Sequence, residues 1–213
     1  MLHFQNLLYV HIPKTGGTWV QEVLLKHGGN HVATDHQPAF REKKFIRREN
    51  LKPFCFVRHP VGYIHSVWKH WTGAPGARIN NESFRKKIFH WDKRTFASTY
   101  CRNIVEGNFE QTLINFQQNA PGFVTKVYEI YSRECIYVGR YENLRDDFAS
   151  FIQDHATNPS EALLADIQES PPVNVSLHQE VPKVDRTLLE AFIAAEPACQ
   201  QHGYNEAPSA FIL

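Results

Sequence analysis

The chain has 213 residues, 23 Lys and Arg against 22 Asp and Glu, and a net charge of +1. That length suits one domain with a sizeable core, and the charge balance argues against a polyanion-binding tail. No run approaches the ~18 apolar residues of a membrane span, and the first residues leave no room for a charged and apolar leader; the expectation is a soluble, cytoplasmic, single-domain protein with no nucleic-acid partner.

The apolar run Leu7-Leu8-Tyr9-Val10 predicts a first strand, over Leu7 to His11, bounded by Pro13. Trp19-Val20-Gln21-Glu22-Val23-Leu24-Leu25 carries apolar residues at helical spacing, and the helix is expected to run to about Lys26, where Gly28-Gly29 closes it. Between them lies His11-Ile12-Pro13-Lys14-Thr15-Gly16-Gly17-Thr18. Two glycines let the backbone fold tightly around an anion, a helix start offers free N–H groups, and Lys14 adds a full charge. In the ordinary nucleoside triphosphatase loop the lysine follows the glycines and a hydroxyl comes directly after it. Here Lys14 precedes Gly16-Gly17 and the first glycine of that pattern is missing.

Asn30 to Gln37 is short and polar, with Asp35-His36 before Pro38. Ala39 to Leu51 is basic (Arg41, Lys43, Lys44, Arg47, Arg48) and reads as a solvated helix face. Phe54-Cys55-Phe56-Val57 then reads as a second strand, ending at Arg58. Pro60 stands where a helix can start, with Val61, Ile64, Val67, Trp68 and Trp71 as its apolar face. Arg58 offers a planar fork of donors and Ser66 a hydroxyl, so the two suit convergence on one anion. An ordinary structural ion pair is the competing role for Arg58 taken alone.

Together these two segments resemble the sulfotransferases that use 3′-phosphoadenosine 5′-phosphosulfate. H-I-P-K-T-G-G-T is similar to their 5′-phosphosulfate loop in its carbohydrate-type and bacterial form, and F-V-R-H-P-x-x-x-x-x-S-x-W to their 3′-phosphate motif. The resemblance is specific at Val10 to Trp19 and Phe54 to Trp68 and thin elsewhere. It implies that Lys14, Thr15, Gly16, Gly17, Thr18 and Trp19 hold the 5′-phosphate, and that Arg58 and Ser66 bind the 3′-phosphate. It further implies that the segment after the first helix returns a base to the site. His36 is the candidate, its imidazole suited to take a proton near neutral pH with Asp35 or another carboxylate orienting it; a surface-loop histidine is the alternative.

Lys69 to Arg94 holds Phe84, Phe89 and Trp91 around Gly73-Ala74-Pro75-Gly76 and reads as loop and helices suited to an acceptor wall or a lid, its aromatics reading as core before a sugar-stacking platform. Phe109 to Phe116 and Val124 to Tyr131 have helical spacing, separated by Pro121-Gly122. Cys135-Ile136-Tyr137-Val138 reads as a further strand, followed by Arg140-Tyr141-Glu142-Asn143-Leu144 and a helix from about Asp146 to His155. This segment resembles the R-Y-E-x-L of many sulfotransferases, and Glu142 is read either as orienting a site lysine or histidine or as a capping or ion-pairing residue. Pro171 to Ser176 is loop-like, and an amphipathic helix is expected near Arg186 to Ala195. In the family this tail adds contacts to the 3′-phosphate, with Asn174, Ser176 or Lys183 available for them.

Cys55, Cys101, Cys135 and Cys199 show no C-x-x-C pairing, and Gly28-Gly29 would break any helix bringing His27 and His31 together, so no metal is expected. Alternating strands and helices predict an α/β fold. The architecture expected is a parallel sheet flanked by helices on both faces, like that of the P-loop NTPases and sulfotransferases, with ligand at the carboxyl ends of the strands. The activity implied is sulfuryl transfer to an acceptor hydroxyl or amine, a carbohydrate among the candidates, with Lys14 stabilising the leaving phosphate. A small-molecule kinase and a non-catalytic nucleotide-binding protein are the alternatives.

Overall fold

The computed structural model describes residues 1–72, 108–171 and 181–213. The aromatic stretch with Phe84, Phe89 and Trp91, Cys101, and the tail residues Asn174 and Ser176 lie outside the described residues. The chain divides into two compact units, Met1–His59 with Lys126–Gln179, and Pro60–Thr125 with Glu180–Leu213.

The first unit is α/β, built on a mixed five-stranded sheet. Its strands are β1 (Leu2–Phe4), β2 (Leu7–Tyr9), β3 (Asn30–His31), β4 (Lys52–Val57) and β5 (Tyr137–Arg140), ordered β3-β1-β2-β4-β5. β2, β4 and β5 run parallel, with Tyr9 opposite Phe54 and Phe54 opposite Tyr137. β1 pairs antiparallel with both β2 and β3, so the all-parallel sheet expected from the sequence is corrected to a mixed one. The cause is a hairpin that the residue types do not announce. Gln5, at φ 52°, turns the chain without a glycine, and the turn is held from outside. The Gln5 amide exchanges hydrogen bonds with the Asn158 backbone at 2.9 and 3.0 Å, and the Asn6 amide donates to the His155 carbonyl at 2.8 Å while accepting from the Thr157 N–H at 2.9 Å.

Alternation along the strands puts Leu2, Phe4, Leu7, Tyr9, Phe54 and Phe56 on one face. There they meet Trp19, Val20, Val23 and Leu24 of α1 (Gly17–Lys26), and the corresponding apolar faces of two later helices. Those helices are Leu144–His155 and Glu161–Glu169, and they contribute Phe148, Phe151, Ile152, Leu163 and Ile167. Phe54 is the centre of this core, 4.4 Å from the Phe151 ring and 5.2 Å from Tyr9. Leu8, Cys55 and Val57, on the opposite face, are also fully buried, which is why β4 reads as an unbroken apolar run. The basic segment forms a short helix, Lys43–Arg48, with no fully buried residue.

In the second unit Pro60 opens a helix, Pro60–Thr72, and Asn108 caps another, Phe109–Asn119, by accepting from the Gln111 N–H at 2.8 Å. His65 packs edge-on against Phe109 and Phe211. The buried Glu196 carboxylate accepts from the Thr125 N–H and hydroxyl at 3.0 and 2.8 Å, and burial raises its pKa. The tail helix is Arg186–Ala194, with Asp185 as its cap. Among the described residues no helix is long and apolar enough to cross a membrane.

Candidate anion-binding site

Because β2, β4 and β5 are parallel, their carboxyl ends lie along one edge of the sheet. Three segments therefore emerge side by side: His11–Gly16 after β2, Arg58–His59 after β4 and Tyr141–Glu142 after β5. Ligands of open α/β sheets bind outside this edge.

The first segment is a tight turn. Lys14 (φ 68°) and Gly16 (φ 80°) both take left-handed backbone conformations, and between them the buried Thr15 hydroxyl donates back to the Ile12 carbonyl at 2.9 Å. The Gly16 carbonyl accepts from the Trp19 N–H at 3.1 Å, starting α1. Among the described residues the backbone N–H groups of Lys14, Thr15, Gly16, Gly17 and Thr18 donate to no protein acceptor. A run of free N–H groups in a left-handed turn at a helix start is a nest for an anion.

Both glycines are required by what packs on them. A Cβ on Gly17 would lie 2.0 Å from the His11 ring, and one on Gly16 would lie 2.8 Å from Leu144 and 3.0 Å from Tyr141. His11 is the floor of the loop, and burial, with a smaller contribution from His36, drives its pKa down to about 3. It is a neutral ring near pH 7.

Two cations stand at this edge. Lys14 is half-buried; burial and then the positive charge of Arg58 lower its pKa to about 8. The Arg58 guanidinium lies over the Tyr141 ring, 4.3 Å from its centroid. Among the described residues neither cation is paired with a carboxylate. The backbone beneath Arg58 is fixed instead: its N–H donates to Tyr128 Oη at 3.2 Å, the Tyr128 hydroxyl donates to its carbonyl at 2.6 Å, and the His59 N–H donates to Glu142 at 2.9 Å. Glu142 thus ties down the backbone just after β4 by accepting from the His59 N–H.

His36 is brought to the same place. Its ring centroid lies 4.4 Å from that of His11, and Lys14 is close enough to depress its pKa. Burial is the larger cause of that depression. His36 has a left-handed backbone (φ 61°), and its carbonyl accepts from the buried Tyr131 hydroxyl at 2.7 Å. Nδ1 faces the His11 carbonyl at 3.4 Å. A carbonyl accepts only, so Nδ1 carries the proton and Nε2 keeps its lone pair. The orienting group is therefore this carbonyl, in place of the carboxylate anticipated from Asp35-His36. Asp35 accepts from the Gln21 amide at 2.8 Å, and this bond, with the chain's amino group, outweighs burial in keeping its pKa low.

The other residues singled out in the sequence fall in different settings. Thr18 is exposed at the loop, whereas the Trp19 ring is in the core, under the Arg145 guanidinium at 5.0 Å, and only its backbone belongs to the loop. Ser66 is half-buried on the helix Pro60–Thr72, and Lys183 is exposed; both belong to the second unit. Tyr128, Tyr131 and Tyr141 had no role in the sequence reading; only Tyr141, in its Arg-Tyr-Glu segment, carried a local signal. No family model, no curated protein and no solved structure matches this chain.

Proposed function

We propose that the chain is a sulfotransferase that takes its sulfuryl group from 3′-phosphoadenosine 5′-phosphosulfate. The observation that carries this reading is the pair of cations, Lys14 and Arg58, left without carboxylates at the ends of adjacent parallel strands beside a nest of free N–H groups. Two close like charges are unfavourable by themselves and become favourable with an anion between them. A nucleotide with phosphates at both ribose ends fits such a site: the Lys14 to Thr18 loop would take the 5′-phosphate and the Arg58 fork the 3′-phosphate. The role of Ser66 rests on the resemblance alone.

When bound, the nucleotide supplies the sulfuryl group. Lys14, with a pKa of about 8, is mostly protonated near pH 7 and would stabilise negative charge building on the 5′-phosphate. His36, with Nδ1 turned to the His11 carbonyl, would accept the proton of an acceptor hydroxyl or amine at Nε2. Both roles come from positioning and electrostatics within one segment of the sheet edge.

Calorimetric titration with 3′-phosphoadenosine 5′-phosphate, alongside ATP with magnesium, tests the reading. Preference for the bisphosphate is the expected result. Preference for ATP would overturn it in favour of a kinase, and binding of neither would remove nucleotide chemistry altogether.

A further inference from the structure

Tyr141 stands in the first turn after β5, half-buried, and touches both anion elements. One edge of its ring occupies the space a Gly16 side chain would fill, with Cδ2 and Cε2 3.0 and 3.1 Å from the position of a Cβ there. Its face lies under the Arg58 guanidinium at 4.3 Å. The ring is thus located by the nest loop and in turn locates the arginine.

How an arginine is held decides what it has left to give. A carboxylate partner takes up the charge and two of the in-plane donors, whereas a ring face attracts the cation through its quadrupole and leaves those donors uncommitted. Among the described residues the Arg58 side chain makes no ion pair, so Tyr141 is what fixes it.

Resting on the nucleotide reading above, we propose that Tyr141 is a positioning residue that holds the Arg58 guanidinium ready for the 3′-phosphate without neutralising it. Selectivity for a nucleotide phosphorylated at both ends then depends on a side chain that need not touch the nucleotide.

The test is a set of calorimetric titrations of the full chain with 3′-phosphoadenosine 5′-phosphate and with adenosine 5′-phosphate, which lacks the 3′ group. Tyr141→Leu should weaken the bisphosphate by about 3- to 10-fold, the range of a partly exposed cation–ring contact, and leave adenosine 5′-phosphate unchanged. Tyr141→Phe keeps the ring face and should keep the affinity. On an Arg58→Ala background, Tyr141→Leu should cost nothing further. Equal loss for both nucleotides would show general damage to the loop, and additive loss on the Arg58→Ala background would show a direct contact. Either outcome overturns the proposal, as does indifference to Tyr141→Leu. Failure of the unaltered protein to bind the bisphosphate would instead overturn the nucleotide reading, and this proposal with it.

Discussion

The two ends of β2 use similar groups to opposite ends. At its start, the Gln5 and Asn6 amides meet the backbone of Asn158, His155 and Thr157 in reciprocal hydrogen bonds, and every amide group there is satisfied. At its finish, the N–H groups from Lys14 to Thr18 and the charges of Lys14 and Arg58 are left open among the described residues. Both turns carry a residue with positive φ, Gln5 in one and Lys14 in the other. Backbone strain therefore does not distinguish them; completeness of hydrogen bonding does. A turn that closes its hydrogen bonds stabilises the fold, and one that leaves charged donors open spends stability to be ready for a ligand.

Lys14→Ala draws that contrast most sharply. Removing the charge should lower the rate of bisphosphate release from the donor by about 100- to 1000-fold, the usual cost of losing one group that stabilises transition-state charge. The fold should be no less stable, because a half-buried cation beside Arg58 is removed. Release of radiolabelled bisphosphate and a thermal melt measure the two effects. A large fall in melting temperature would place Lys14 with the closed, stabilising type of turn.

His36→Ala should reduce transfer to an acceptor hydroxyl by on the order of 100-fold while nucleotide affinity, measured by calorimetry, survives. An unchanged rate would remove His36 as the base and leave its left-handed backbone without a functional account.

The open end was legible in the sequence and the closed end was not. Lys14 to Thr18 and Arg58 are local statements: a glycine pair before a helix, and a charged residue where an apolar strand ends. Each can be read from a few adjacent residues. The hairpin depends on amide bonds formed 153 positions along the chain, and no residue type at Gln5-Asn6 signals them. His36 lay between these cases. Its neighbourhood was inferred, but the expected carboxylate partner was replaced by a backbone carbonyl, which leaves no mark in a sequence. Tyr141 was visible as a motif letter, while its place between Gly16 and Arg58 came only from the parallel pairing of β4 with β5.

Asn6→Ala is the reverse experiment. Two hydrogen bonds that tie the hairpin to the segment after Leu144–His155 are lost, and the expected destabilisation is about 1–2 kcal/mol in chemical denaturation. Bisphosphate affinity should be unaffected, since nothing at the carboxyl end changes. A loss of affinity comparable to the loss of stability would mean that the two ends of the strand are coupled, and the contrast between them would fail.

The effect that is smallest near neutral pH is the dependence of bisphosphate affinity on pH, which grows only above about pH 8. In the free protein Lys14 loses its proton near pH 8, depressed by burial and by Arg58. A bound phosphate favours the protonated form, so the complex must hold that proton more tightly than the free protein does. The sign follows: affinity is at its full value below about pH 8 and falls above it, by up to about tenfold per pH unit, until the raised pKa of the complex is passed. In the closed turn the Gln5 and Asn6 side-chain amides bond only to backbone groups, which do not titrate, so those bonds predict no such dependence. Titration between pH 7 and 10 in the unaltered protein and in Lys14→Met, which keeps the length of the side chain without its charge, isolates the cause. Affinity that falls in both proteins alike would assign the proton to another group and leave the Lys14 ammonium outside the anion site.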